Sequence, residues 1–208
     1  MAAGDEAARA DGRSRNDDVL RRLRTGTAGE HEEVERTLGL LDPELDRYRL
    51  TDVLGRMHGF WVAAEAGLDD WAARHPADAD EIAWPRRRRA ALFAADLRAL
   101  GGATTGAADL PPVAGTDQAL GRLYVLEGST LGGIVIGRHL ASLPHLSDVR
   151  IRAFSPYGHE TGAMWAAFRQ VTRDRVATGG NADAIVRSAR ATFRALATWC
   201  RVVVPASA

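Results

Sequence analysis

The chain has 208 residues, 46% of them apolar, with 27 basic and 27 acidic side chains that cancel to a net charge of zero, and one cysteine. Folding at this length buries roughly 70% of the unfolded surface, so one hydrophobic core can absorb the chain. Every basic residue is an arginine, which excludes a Schiff-base, P-loop or general-base lysine, and the lone Cys200 excludes an internal disulfide and any multi-cysteine zinc or iron–sulfur site.

Residues 1–15 are small and charged and lack the apolar run of a secretory signal, so they read as a disordered tail before one domain over 16–204. The apolar stretches are broken by Gly, Arg or Glu short of a membrane span, and the missing disulfides fit a cytoplasmic setting. The balanced charge gives no reason to expect nucleic acid as a partner. From an N-cap at Asn16 or Asp17, Leu20, Leu23, Thr27, His31, Val34, Leu38 and Leu41 step by three or four along one helix face, which Asp42-Pro43 closes. Thr51 caps a second helix carrying Leu54, Met57, Trp61, Leu68 and Trp71 as far as His75-Pro76. A third is expected over about 80–100, with Pro85 at its start or at a kink, and its Arg86–Arg89 run reads as a solvated face. Residues 101–115 form a linker, Thr116 opens a long helix to about Leu143, and two more helices near 159–177 and 182–203 are split by Gly179-Gly180. No segment sustains the period-two alternation of a strand. The expected class is all-α, with six to eight helices and no internal repeat.

Four features bear on chemistry. His31 has Glu35 one helical turn on, where a carboxylate can accept from one ring nitrogen and leave the other free for a metal; a core histidine is the plainer alternative. Arg24 lies two turns before His31, about 10 Å along the helix. The run from Tyr124 to Gly133 carries Gly128, Gly132 and Gly133, with Gly137 one turn on, each costing about 1 kcal/mol in a helix interior. Close helix packing or a kinked, bare backbone approaching a flat ligand would each offset that cost. Arg169, after Trp165 and Phe168, is either a surface charge or a partner for ligand carboxylates. His58, His139, His145 and His159 receive no ligand role.

The segment 23–35 (LRTGTAGEHEEVE) resembles the proximal helix of heme oxygenases, and the segment Tyr124 to Gly133 resembles their distal helix. The bacterial branch associated with bacteriophytochromes is the nearest match, and the run 154–168 with Tyr157, Gly158, Gly162 and Trp165 fits that branch too. The resemblance spans roughly 17–204. It implies a single-domain helical bundle with His31 as the iron ligand, Glu35 as its hydrogen-bonded carboxylate and Arg24 facing a heme propionate, with Tyr124 and Arg169 as further candidates for that contact. Gly128, Gly132 and Gly133 match the glycines of the distal G-D-x-S-G-G pattern; Ser129 stands where the family has aspartate and Leu131 where it has serine. The implied activity is O2-dependent cleavage of heme, both cofactor and substrate, to biliverdin, carbon monoxide and ferrous iron. Electrons would come from an external reductase or ferredoxin, and a bacteriophytochrome is a candidate recipient of biliverdin. A non-enzymatic heme carrier or sensor is the main alternative; a thiaminase-like hydrolase using Cys200, or a di-iron oxidase, would share the fold.

Overall fold

Apolar residues spaced by three and four are met by helices throughout, and among the residues described, 19–201, the computed structural model contains no strand. The expected tail over 1–15 and the N-cap at Asn16 or Asp17 lie outside that range. Helical turns over 19–26 (α1) break at Thr27 and resume as α2 (Ala28–Leu38). Gly39 ends α2 in the left-handed conformation (φ 60°), a cap that costs glycine nothing, so the helix stops before Asp42-Pro43. Leu41, past that cap, is exposed rather than on the apolar face.

Helix α3 (Arg47–Arg74) is the central strut, about 42 Å long at 1.5 Å per residue. It is capped by Asp46, whose side chain accepts from the Arg49 amide, one turn earlier than the expected cap at Thr51. Leu50, Leu54, Phe60, Trp61 and Leu68 bury its inner face. The single helix expected over 80–100 forms instead as α4 (Pro76–Glu81), a 3₁₀ turn at Trp84–Arg87, and α5 (Ala90–Ala99). Ala83 breaks the run by adopting a left-handed conformation (φ 52°), which costs an L-residue about 1 kcal/mol. The linker over 101–115 is coil pinned to α3: the Ala108 amide donates to Gly59 O (3.2 Å) and Arg74 donates to Val113 O (2.6 Å).

Helix α6 (Thr116–Ser142) is continuous and packs chiefly on α8 (Ala182–Cys200), which Asn181 caps; α7 (Thr161–Ala177) lies alongside. An 18-residue stretch of α6 is long and apolar enough by composition to cross a membrane, contrary to the sequence expectation. Burial of 56% of that stretch inside the bundle accounts for its apolarity. Two of its glycines are there for packing. A Cβ on Gly121 would sit 2.3 Å from Ile185 O of α8, and one on Gly133 would sit 2.0 Å from Phe154 O. At Gly137 nothing lies within 4 Å. Gly121→Ala should therefore lower stability by about 1–3 kcal/mol through overpacking, whereas Gly137→Ala should hold or raise it by up to about 1 kcal/mol, as thermal or urea unfolding would show.

Candidate functional site

An apolar cavity of about 470 Å³ opens between α2, α3, α6 and α8, within the range of about 300–1,000 Å³ usual for ligand sites. His31 and Glu35 line it from α2; Tyr124, Gly128, Ser129 and Gly132 line it from α6. The two segments singled out in the sequence, almost a hundred residues apart, thus share one cavity. A larger cleft of about 560 Å³ between α2 and α8 is shallower and charged, and its Glu30 is already engaged by Arg190 and Arg194 (2.8 Å each).

His31 is half exposed, its ring edge-on to Phe193 at 5.6 Å, and it is the one histidine of the six on the cavity wall. Its Nδ1 lies 3.5 Å from a Glu35 carboxylate oxygen, ion-pair distance that stops short of the expected hydrogen bond. His139 and His145 place Nε2 on the carbonyls of Asp42 (3.0 Å) and Leu45 (2.8 Å). Burial lowers the pKa of His58 and favours its neutral form, away from the cavity.

The glycines divide. Gly128 and Gly132 line the cavity, and a Cβ on either would meet nothing within 4 Å, so packing of the protein does not explain them. Gly133, expected beside them as a distal glycine, does not line the cavity; its missing side chain lets the Phe154 backbone approach. Tyr124 stands at the cavity edge against Trp165, ring centres 5.9 Å apart. Burial raises the pKa of its phenol, and Thr27 and the charge of Arg24 partly offset that. Arg24 itself is exposed and does not line the cavity. Arg169 sits behind Trp165, its guanidinium carbon 6.0 Å from the ring centre, so its contact with the cavity is indirect.

The Arg86–Arg89 run overturns its sequence reading. Arg86 and Arg88 face outward to Glu160 and Asp69, but Arg87 and Arg89 are buried, 2% and 1% exposed. Arg87 pairs with the buried Glu127, which also accepts from the Tyr157 hydroxyl (2.8 Å). Burial and that neighbouring carboxylate both push the Tyr157 phenol upward. Arg89 donates to Leu126 O and to Ser129 Oγ (2.9 Å) and lies 4.9 Å over the Trp61 ring. Glu65 accepts from the amides of Arg89 (2.6 Å) and Ala90 (2.8 Å), capping α5 from α3; burial raises the pKa of its carboxyl. Ser129 in turn donates to Leu126 O (2.7 Å), so its proton is directed into the helix. A charge run with no acidic partner in sequence range carried no hint of this.

Among the described residues the competing chemistries lack their side chains. Burial pushes the Cys200 thiol up to about 12, so no useful thiolate exists at neutral pH. Among the described residues no three His, Cys, Asp or Glu side chains gather as a metal cluster would require. Cys200 should therefore resist a thiol reagent at pH 8 in the native protein and react fully once unfolded. Arg87→Met should cost about 3–5 kcal/mol in urea unfolding by stranding the buried Glu127, with Arg87→Met/Glu127→Leu recovering a good part of it.

Residues 17–202 match the heme oxygenase family. A heme oxygenase of Xanthomonas campestris pv. campestris (strain 8004) is 34% identical over 152 residues, covering 72% of this chain and 87% of that protein. Among solved structures, the NO- and CO-bound heme oxygenase from Neisseria meningitidis superposes with a TM-score of 0.71 at 23% identity, over 90% of this chain and 94% of that one.

Proposed function

The chain belongs to the heme oxygenase family, and from that premise we propose that its apolar cavity binds heme between α2 and α6 and that the protein cleaves it to biliverdin, carbon monoxide and iron. One observation carries the assignment of residues: His31 and the unencumbered Gly128 and Gly132 line the same cavity from two different helices. The cavity fits the group, since apolar walls suit a flat macrocycle and the two open glycine positions leave room that no neighbouring side chain claims.

Bound heme supplies an iron centre for O2 activation and is itself the ring that is opened. His31 would hold the iron through an imidazole nitrogen, and Glu35, 3.5 Å from Nδ1, would favour Nε2 as the ligand atom. Gly128 and Gly132 leave two side-chain positions of the α6 wall bare, so heme could approach the backbone there. Ser129 stands where the resemblance places an aspartate. Its hydroxyl proton is held by Leu126 O and it accepts from Arg89, so it offers the cavity a lone pair and no acid. With Leu131 beyond it, this side of the cavity lacks a strong proton donor of its own. Arg24, outside the cavity lining, would have to reach in past Tyr124 to meet the heme carboxylates in a chain with no lysine to do so, and Arg169 would steady Trp165.

Electrons come from a separate reductase or ferredoxin, because the chain carries no flavin or iron–sulfur motif. The resemblance of residues 154–168 supports membership of the bacteriophytochrome-associated branch and biliverdin delivery to such a receptor. An undisulfided chain with one deeply buried thiol fits a cytoplasmic setting.

His31→Ala should abolish the Soret spectrum of the histidine-ligated complex, with partial return on adding imidazole; an unchanged spectrum would falsify the ligand assignment. Gly132→Ala should leave stability unchanged or raised by up to about 1 kcal/mol while slowing heme degradation. Wild-type turnover in that variant would remove Gly132 from the site.

A further inference from the structure

We propose that a second cavity, between the linker, α6 and α8, binds a small oxyanion of the phosphate class. This cavity of about 230 Å³ shares no lining residue with the apolar pocket. It is walled by Pro111 and Pro112 of the linker, by Gln118 and Arg122 of α6, and by Arg187 and Ser188 of α8.

Arg122 is 3% exposed and pairs with no carboxylate among the described residues. Its Nη atoms donate only to the backbone carbonyls of Pro111 and Ala64 (the latter at 3.5 Å), and its buried Nε has no partner there. The other buried arginines differ, since Arg87 is paired with Glu127 and Arg89 has Glu65 and Glu127 nearby. A cation taken out of water without a counter-charge is costly, and arginine does not escape the cost by losing its proton. Burial pulls Arg122 down to about 10, still protonated at neutral pH.

At the rim, the exposed Arg187 has neither an ion pair nor a hydrogen bond among the described residues, and the Gln118 side-chain amide has no hydrogen-bond partner there either. No Asp or Glu lines this cavity, whereas the cleft between α2 and α8 holds Glu30 and Glu33 and the one beside α4 and α7 holds Asp78, Glu81 and Asp174. The Ser188 hydroxyl donates to Gln118 O (2.7 Å) and could exchange that acceptor for an anion by rotating. Two guanidiniums without counter-ions call for a dianion, and a phosphate group neutralises both where a carboxylate neutralises one. Bound there, it would tie the first half of α8 to the linker that Arg122 already holds.

The test uses the heme-free full chain, titrated with inorganic phosphate and, separately, acetate, against chloride at matched ionic strength, by calorimetry and thermal unfolding. The expected result is saturable phosphate binding that raises Tm, acetate weaker by about tenfold or more, and a loss of phosphate affinity of about tenfold or more in Arg187→Gln. Arg187→Gln, at an exposed site, should keep the wild-type Tm in chloride and the wild-type heme uptake. No phosphate effect beyond that of chloride overturns the proposal. So does acetate binding as tightly as phosphate, or phosphate affinity retained in Arg187→Gln. None of these outcomes bears on the heme site, which is read separately from the Soret band.

Discussion

Two buried arginines hold one wall of the apolar cavity in place. Arg87 grips Glu127 and donates to Ile82 O, and Arg89 grips Leu126 O, Ser129 and Ala153 O. Residues 126–129 of α6 are therefore fixed from behind, by the turn before α5 and by the 152–154 segment, at the point where glycine begins to replace side chains. A helix rich in glycine loses backbone entropy at each one. Anchoring its carbonyl and hydroxyl groups to cations that cannot deprotonate restores rigidity on the outer side and leaves the inner side bare.

The same helix shows how one residue type serves two ends. Gly121 and Gly133 are required because a neighbouring backbone occupies the place of a Cβ, at α8 and at Phe154. Gly128 and Gly132 face open cavity, where no protein atom occupies the place of a Cβ. Packing thus explains the first pair, and the second is left to the proposed heme site. Ser129, where the sequence resemblance places an aspartate, belongs to this wall as well: its hydroxyl bridges Arg89 to Leu126 O and stays neutral, whereas a carboxylate there would face Arg89 as a counter-charge.

The helical class and the two cavity segments were legible in the sequence because periodicity and glycine content are local signals. His31 and Glu35 were readable as an i,i+4 pair, and the family resemblance carried Gly128 and Gly132 to the opposite wall. What local reading could not reach were the partners supplied from afar. Arg87 and Arg89 alternate with Arg86 and Arg88 in a non-α segment, so one pair turns inward toward Glu127, Leu126 and Ser129 while the other faces water. A charge run says nothing about which of its members will be buried until the acceptors forty residues away are in position. Gly133 escapes local reading for a related reason: it is glycine because of the Phe154 backbone, twenty-one residues on and invisible to helix spacing.

Turnover of heme in this cavity is the central claim. Hemin added to the full chain with ascorbate or a reductase under air, followed in the visible spectrum, measures it directly. A Soret band that forms and then decays as biliverdin absorption grows is the predicted result. A Soret band that forms and persists would make the protein a heme carrier, and the absence of any Soret shift would contradict the heme site itself.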